Sequence, residues 1–151
     1  MFFSAVVLAA TTHVAAHFFN DFGGSWTCGN SQYHAQWSIT SPEGNYWTIV
    51  QYGVDLQHPG GTAYVGFLPQ KNAYVYNDFH ADGSLAQLSS PLPGADHTWR
   101  WTGVFYQTGK DPDPNGDITW TLTPKGTIER HFRKVVNGTP KEMGSDTCTK
   151  R

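Results

Sequence analysis

Apolar and polar residues alternate with a period of two along most of this chain, as in strands with one face in a core and one in water. In Tyr33-His34-Ala35-Gln36-Trp37-Ser38-Ile39-Thr40 the odd positions are apolar and the even ones polar. Over residues 97–107, Trp99, Trp101, Gly103 and Phe105 share one face and Thr98, Arg100, Thr102 and Tyr106 the other, so the tryptophan face is expected inside. Residues 117–123 repeat the pattern with Ile118, Trp120 and Leu122 inward. Further strands are expected over 24–30, 46–54, 62–68, 73–79, 84–89, 127–136 and around 147–149. Turn compositions separate them, among them Pro69-Gln70-Lys71-Asn72, Ala81-Asp82-Gly83 and, most specifically, Asn137-Gly138. Residues 18–23 read as a lead-in whose aromatics plug one end of a barrel, 55–61 as an irregular loop over a mouth, and 110–116 as a long hairpin tip.

About ten short strands with no amphipathic helix long enough for a parallel crossover predict an all-β fold. Consecutive hairpins favour a closed antiparallel up-and-down barrel of about eight to ten strands, in which closure removes the exposed edges. An open two-sheet sandwich is the alternative. The cysteines separate the two: in a closed meander the first strand neighbours the last, so Cys28 and Cys148 can meet, whereas a sandwich supplies no such general reason. A disulfide is the expected state of the pair, because zinc sites show close-spaced ligands and these two are far apart.

The first 16 residues, MFFSAVVLAATTHVAA, form an apolar run without acid or base that ends in small residues, the pattern of a secretory signal. A buried N-terminal helix is the competing reading, and a membrane span needs about 20 apolar residues. Residues 17–151 are then expected to form a single domain in a secreted or periplasmic setting. A net charge of −2 gives no reason to propose nucleic acid as a partner. The distribution is uneven, since seven of the ten Lys and Arg lie at or after Lys125, either a solvated face or an anion-binding stripe.

The opening Gly-Ser-Trp-Thr-Cys, the run Tyr64-Val65-Gly66-Phe67 to Ala81-Asp82-Gly83, the Trp-Arg-Trp-Thr-Gly of residues 99–103 and the closing Asp146-Thr147-Cys148-Thr149-Lys150 together resemble an uncharacterised family of exported bacterial lipocalin-like (calycin) barrels. The resemblance covers nearly the whole of residues 17–151. It implies an eight- to ten-strand barrel with an internal cavity, often holding a small apolar ligand, and no particular reaction. Among calycins the nitrobindins carry a longer glycine pattern after the tryptophan. Here Thr27-Cys28-Gly29-Asn30 stands there, and no haem or other cofactor is expected.

Candidate chemistry is sparse. Arg130 alternates with Ile128 and Phe132, which puts a guanidinium on the inward face; there it meets either the anionic or carbonyl end of a ligand or an internal acid, unless a bulge flips the face. Trp99, Trp101 and Trp120 are expected to wall the interior, with Trp101 and Trp120 nearest mid-strand. Tyr74, Tyr76, Asp78 and His80 share one side of a strand. Pointing inward, Asp78, His80 and Tyr76 would make an acid and base set. Because Ala73, Val75 and Phe79 form the more apolar side, the polar row is expected outside. Asp96-His97 is a weaker pair. The histidines lack His-x-His or His-x-x-x-His spacing, and no metal site is expected. Gly-x-Ser-x-Gly is absent, and Asn137-Gly138-Thr139, formally a glycosylation sequon, is accounted for by its turn.

Two functions follow as expectations. The first is an exported protein that binds a small apolar or amphipathic molecule in the barrel interior through Arg130, Trp101, Trp120, Trp99 and Phe132, with no stable membrane insertion once processed. The second is a cofactor-independent barrel enzyme of cyclase, isomerase or lyase type that uses the Asp78, His80 and Tyr76 face. A third, an interaction module built on the basic last strands, competes with both. Oligomeric state is left open.

Overall fold

A computed structural model describes residues 21–31, 34–41, 46–53 and 60–151. The leader at residues 1–16, His17, the aromatics at 18–19 and most of the loop at 55–61 lie outside the described residues. Ten strands are present among the described residues: β1 Gly24–Gly29, β2 His34–Thr40, β3 Tyr46–Gly53, β4 Gly61–Leu68, β5 Ala73–His80, β6 Leu85–Pro91, β7 Thr98–Tyr106, β8 Asp113–Leu122, β9 Thr127–Val136 and β10 Thr139–Lys150. Each is antiparallel to its chain neighbour, and β1 also pairs with β10, so the sheet closes into an up-and-down barrel, consistent with a lipocalin-like architecture. The open sandwich is excluded.

Closure sits where the cysteines are. In the β1–β10 ladder Cys28 stands opposite Cys148, flanked by the pairs Thr27 with Thr149 and Gly29 with Thr147, and the two cysteines form a buried disulfide. Hairpin chemistry accounts for the connections. Asn137 and Gly138 have φ of 52° and 76°, the left-handed pair that a two-residue hairpin turn requires, and β9 and β10 pair from Val136 and Thr139 outward. Asn72, at φ 47°, ends the single 3₁₀ turn Pro69–Lys71 between β4 and β5.

Two strands are longer than their patterns suggest. Residues 110–116 are not all hairpin tip, because β8 begins at Asp113, which pairs with Phe105 and receives Lys134 Nζ at 2.6 Å. Gly116 makes this possible: a Cβ there would come within 1.8 Å of the Phe105 ring, which lies across the glycine beside the bulge between Gly103 and Phe105. At the other end of the chain, β10 spans 12 residues rather than a few around Cys148. Lys141-Glu142-Met143 carries no alternation, and the ladder to β9 holds it extended.

The barrel interior is filled unevenly. Phe22 packs edge-on to Trp99 at 4.5 Å and to Trp120 at 5.9 Å and accepts a hydrogen bond from Trp26 Nε1 on its carbonyl at 2.7 Å, so this ring plugs the end from which β1 starts. Large rings fill that half, with Trp26, Trp47, Trp99 and Tyr74 all fully buried. Toward the opposite rim, where β2, β4 and β6 begin, the buried inward positions are Ala35, Ala63 and Ala86.

One strand faces the other way from expectation. On β5 the buried residues are Tyr74, Tyr76 and Asp78, while Phe79 is 52% exposed. The apolar count of the two faces misleads for two physical reasons. Phe79 finds cover outside in a row of rings, with Tyr64 at 6.4 Å and Tyr46 a further 6.2 Å on. Inside, the Asp78 carboxylate accepts hydrogen bonds on Oδ2, which offsets part of the cost of burying it.

Candidate functional site

The rim half of the barrel holds two polar groups of side chains. The first centres on Asp78, which is 5% exposed. Its Oδ2 accepts hydrogen bonds from the Tyr76 hydroxyl at 2.8 Å and from Gln51 Nε2 at 3.0 Å, and lies 3.1 Å from His80 Nε2. Gln51 Oε1 in turn accepts from Trp37 Nε1 at 3.1 Å, so three strands are tied together through one carboxylate oxygen. Asp78 Oδ1 is buried and has no hydrogen-bond partner among the described residues. In the ladders Asp78 stands opposite Ala63 on β4 and Ala86 on β6. The side chains beside this carboxylate on both neighbouring strands are therefore small. His80, at the end of β5, is 30% exposed and marks the rim.

The second group is an ion pair. Arg130 reaches Asp146 with Nε on Oδ1 at 2.6 Å and with a terminal nitrogen on Oδ2, a bidentate contact across the β9–β10 ladder in which these residues are register partners. Its guanidinium carbon lies 4.1 Å from the centre of the Trp37 ring and 5.3 Å from that of Phe132. Trp37 thus joins the two groups, stacking on Arg130 and donating to Gln51.

Burial dominates the electrostatics. It lowers the Arg130 guanidinium to about 10, against the opposing pull of Tyr76 and Asp78. It raises the Asp146 carboxyl to about 7. The bidentate contact opposes both shifts, since each partner stabilises the charged form of the other. The Tyr76 phenol is pushed well up, first by burial and then by the Asp78 charge and hydrogen bond, with Arg130 in opposition. Tyr76 is therefore a hydrogen-bond donor to Asp78, not a base.

Below these groups an aromatic wall closes the interior. Tyr76, Trp101 and Trp120 contact one another with centroid distances of 5.4 to 5.6 Å, and Trp37 lies 5.4 Å from Trp120. Trp120 Nε1 is buried without a hydrogen-bond partner among the described residues.

The structure places Trp99, Trp101, Trp120 and Arg130 inside and Phe132 partly buried beside Arg130. Arg130 forms an ion pair with Asp146, one of the roles open to it. The row expected outside, Tyr76 with Asp78, is inside, joined at the rim by His80. Asp96 is exposed and paired with Arg100 at 2.6 Å, apart from this cluster. Gln51 and Asp146 were not candidates. Alternation marked both: Gln51 continues the inward Trp47 and Ile49, and Asp146 precedes Cys148 by two. Among the described residues no group of three His, Cys, Asp or Glu is placed to hold a metal ion, and no helix is long and apolar enough to cross a membrane. Of the seven Lys and Arg at or after Lys125, three are ion-paired across the sheet among the described residues, Lys134 with Asp113, Arg133 with Asp117 at 3.5 Å and Arg130 with Asp146. No protein-family model matches this chain, and no curated protein matches it in sequence.

Proposed function

We propose that the protein is an exported lipocalin-like binding protein that holds a small amphipathic molecule inside the barrel, on the rim side of the aromatic wall. The observation that carries this reading is the setting of Asp78. Two donors and the His80 ring nitrogen converge on one of its oxygens, the other is buried without a partner, and alanines flank it on both neighbouring strands. Native proteins seldom leave a buried acceptor unsatisfied, and a polar group of a ligand entering beside Ala63 and Ala86 would satisfy it. The rings of Tyr76, Trp101 and Trp120 would take the apolar body. Export accords with the disulfide, which persists in oxidising compartments. A native mass spectrum of protein purified without denaturation tests the proposal. A retained small molecule is expected; its absence, together with unchanged tryptophan fluorescence on titration with apolar acids, alcohols and amines, would sink the reading.

A second reading, an enzyme without a cofactor, is favoured by one contact, His80 Nε2 at 3.1 Å from Asp78 Oδ2. A carboxylate that fixes an imidazole leaves the other ring nitrogen to move a proton. In that case His80→Gln abolishes turnover of the retained molecule without weakening its binding, whereas a binding protein shows no turnover to lose.

A further inference from the structure

Of the two buried carboxylates among the described residues, Asp146 has an arginine in contact and Asp78 does not. The chain has ten Lys and Arg in all, and every one falls among the described residues. Arg130 is the buried one, and it is committed through two nitrogens to Asp146. Asp78, the other buried carboxylate among the described residues, has no Lys or Arg within ion-pair distance and meets the Arg130 charge only at longer range. Its contacts are a phenol, an amide and His80 at the rim. The neutral donors all fall on Oδ2, leaving Oδ1 as a fixed, desolvated acceptor. A buried carboxylate held by neutral donors on one oxygen keeps part of its desolvation cost, and a positive charge delivered beside the other recovers it. The surroundings suit a cation too. Tyr76, which holds the carboxylate, is also in ring contact with Trp101 and Trp120, and aromatic faces attract cations.

We propose that the interior site selects a protonated nitrogen base on an apolar or aromatic body, its ammonium or amidinium group meeting Asp78 Oδ1 and its body lying against Tyr76 and Trp101. This rests on the proposed binding function and narrows its ligand class. It also moves the anchor from Arg130, which has its anion already, to Asp78. Gln51 and Tyr76 are positioning residues, since they hold the carboxylate through Oδ2 and leave Oδ1 for the ligand. His80 is the group that competes. As an imidazolium it would neutralise Asp78 from the rim, so the ligand enters best when the imidazole is neutral.

Calorimetric titration of the intact protein at about pH 8, where an ordinary imidazole is neutral and a primary amine still protonated, with phenethylamine, phenethyl alcohol and 3-phenylpropionate separates head group from body. Phenethylamine is expected to bind at least about tenfold more tightly than either of the others, the usual scale for a charged hydrogen bond. Asp78→Asn, which keeps shape and loses charge, is expected to abolish that preference. Equal or tighter binding of the alcohol or the acid overturns the cation and leaves the binding function standing. No binding of any probe to a protein that also retains no molecule in its native mass spectrum overturns both. An Asp78→Asn protein with native near-ultraviolet dichroism and undiminished amine preference overturns the role of Asp78. Should that variant not fold, the probe series on the unaltered protein decides.

Discussion

Arg130 and Asp146 face each other across the β9–β10 ladder and form a bidentate ion pair inside the barrel, beneath the ring of Trp37. Removing one partner strands the other charge in a desolvated site. Asp146→Ala and Arg130→Met are each expected to cost about 3–5 kcal/mol in denaturant unfolding. The double replacement Arg130→Met with Asp146→Leu is expected to recover most of the loss. Additive losses in the double variant would show that each residue acts through packing alone.

Cys28 and Cys148 join strands that are 120 residues apart in the chain. In the chain-entropy model a loop of that length is worth on the order of 5 kcal/mol. The bond is buried, so mild reductant is expected to leave the folded barrel oxidised and to act only once it opens. Cys28→Ala with Cys148→Ala is expected to lower the denaturation midpoint by an amount that reductant no longer changes. A midpoint equal to that of the oxidised protein would count against the seam as a source of stability.

Tyr74 and Tyr76 give the fold an alkaline limit. Burial is the first cause of the raised phenol in both, joined by the charge of Asp21 at Tyr74 and of Asp78 at Tyr76. The folded barrel therefore holds two protons that the unfolded chain releases near the ordinary value of 10.0. Their contribution is fully present below that value and is lost as the pH rises above it. Spectrophotometric titration is expected to show a late phenolate step that coincides with loss of the barrel's circular dichroism. In a Tyr74→Phe, Tyr76→Phe protein that step should vanish.

Gly116 lies beneath the Phe105 ring, with no room for a Cβ. Gly116→Ala is expected to destabilise by about 1–3 kcal/mol, the scale of overpacking. Adding Phe105→Leu should return part of it, because a smaller side chain vacates the same space. A Gly116→Ala protein as stable as the parent would mean that the bulge after Gly103 adjusts freely.

The interior was only partly legible from the chain. Arg130 was marked by its period with Ile128 and Phe132, and Trp101 and Trp120 by theirs, because on those strands every inward residue but one is apolar. Tyr74, Tyr76 and Asp78 were assigned to the wrong face for the opposite reason: on β5 both faces are mixed, and counting apolar residues cannot see the donors that Gln51 brings from β3. Asp146 was missed for another reason. It shares a face with Cys148, but its partner Arg130 is set by the β9–β10 register.

The sequence by itself determined an all-β chain of about eight to ten hairpin-linked strands and pointed to the seam between Cys28 and Cys148, since period-two alternation, turn residues and a single cysteine pair are local or nearly local signals. Only the tertiary structure decided which charges meet. Partners such as Arg130 with Asp146, or Asp78 with Gln51 and Tyr76, are chosen by ladder register and barrel closure. Whether a buried carboxylate is satisfied or left waiting for a cation depends on side chains brought from other strands.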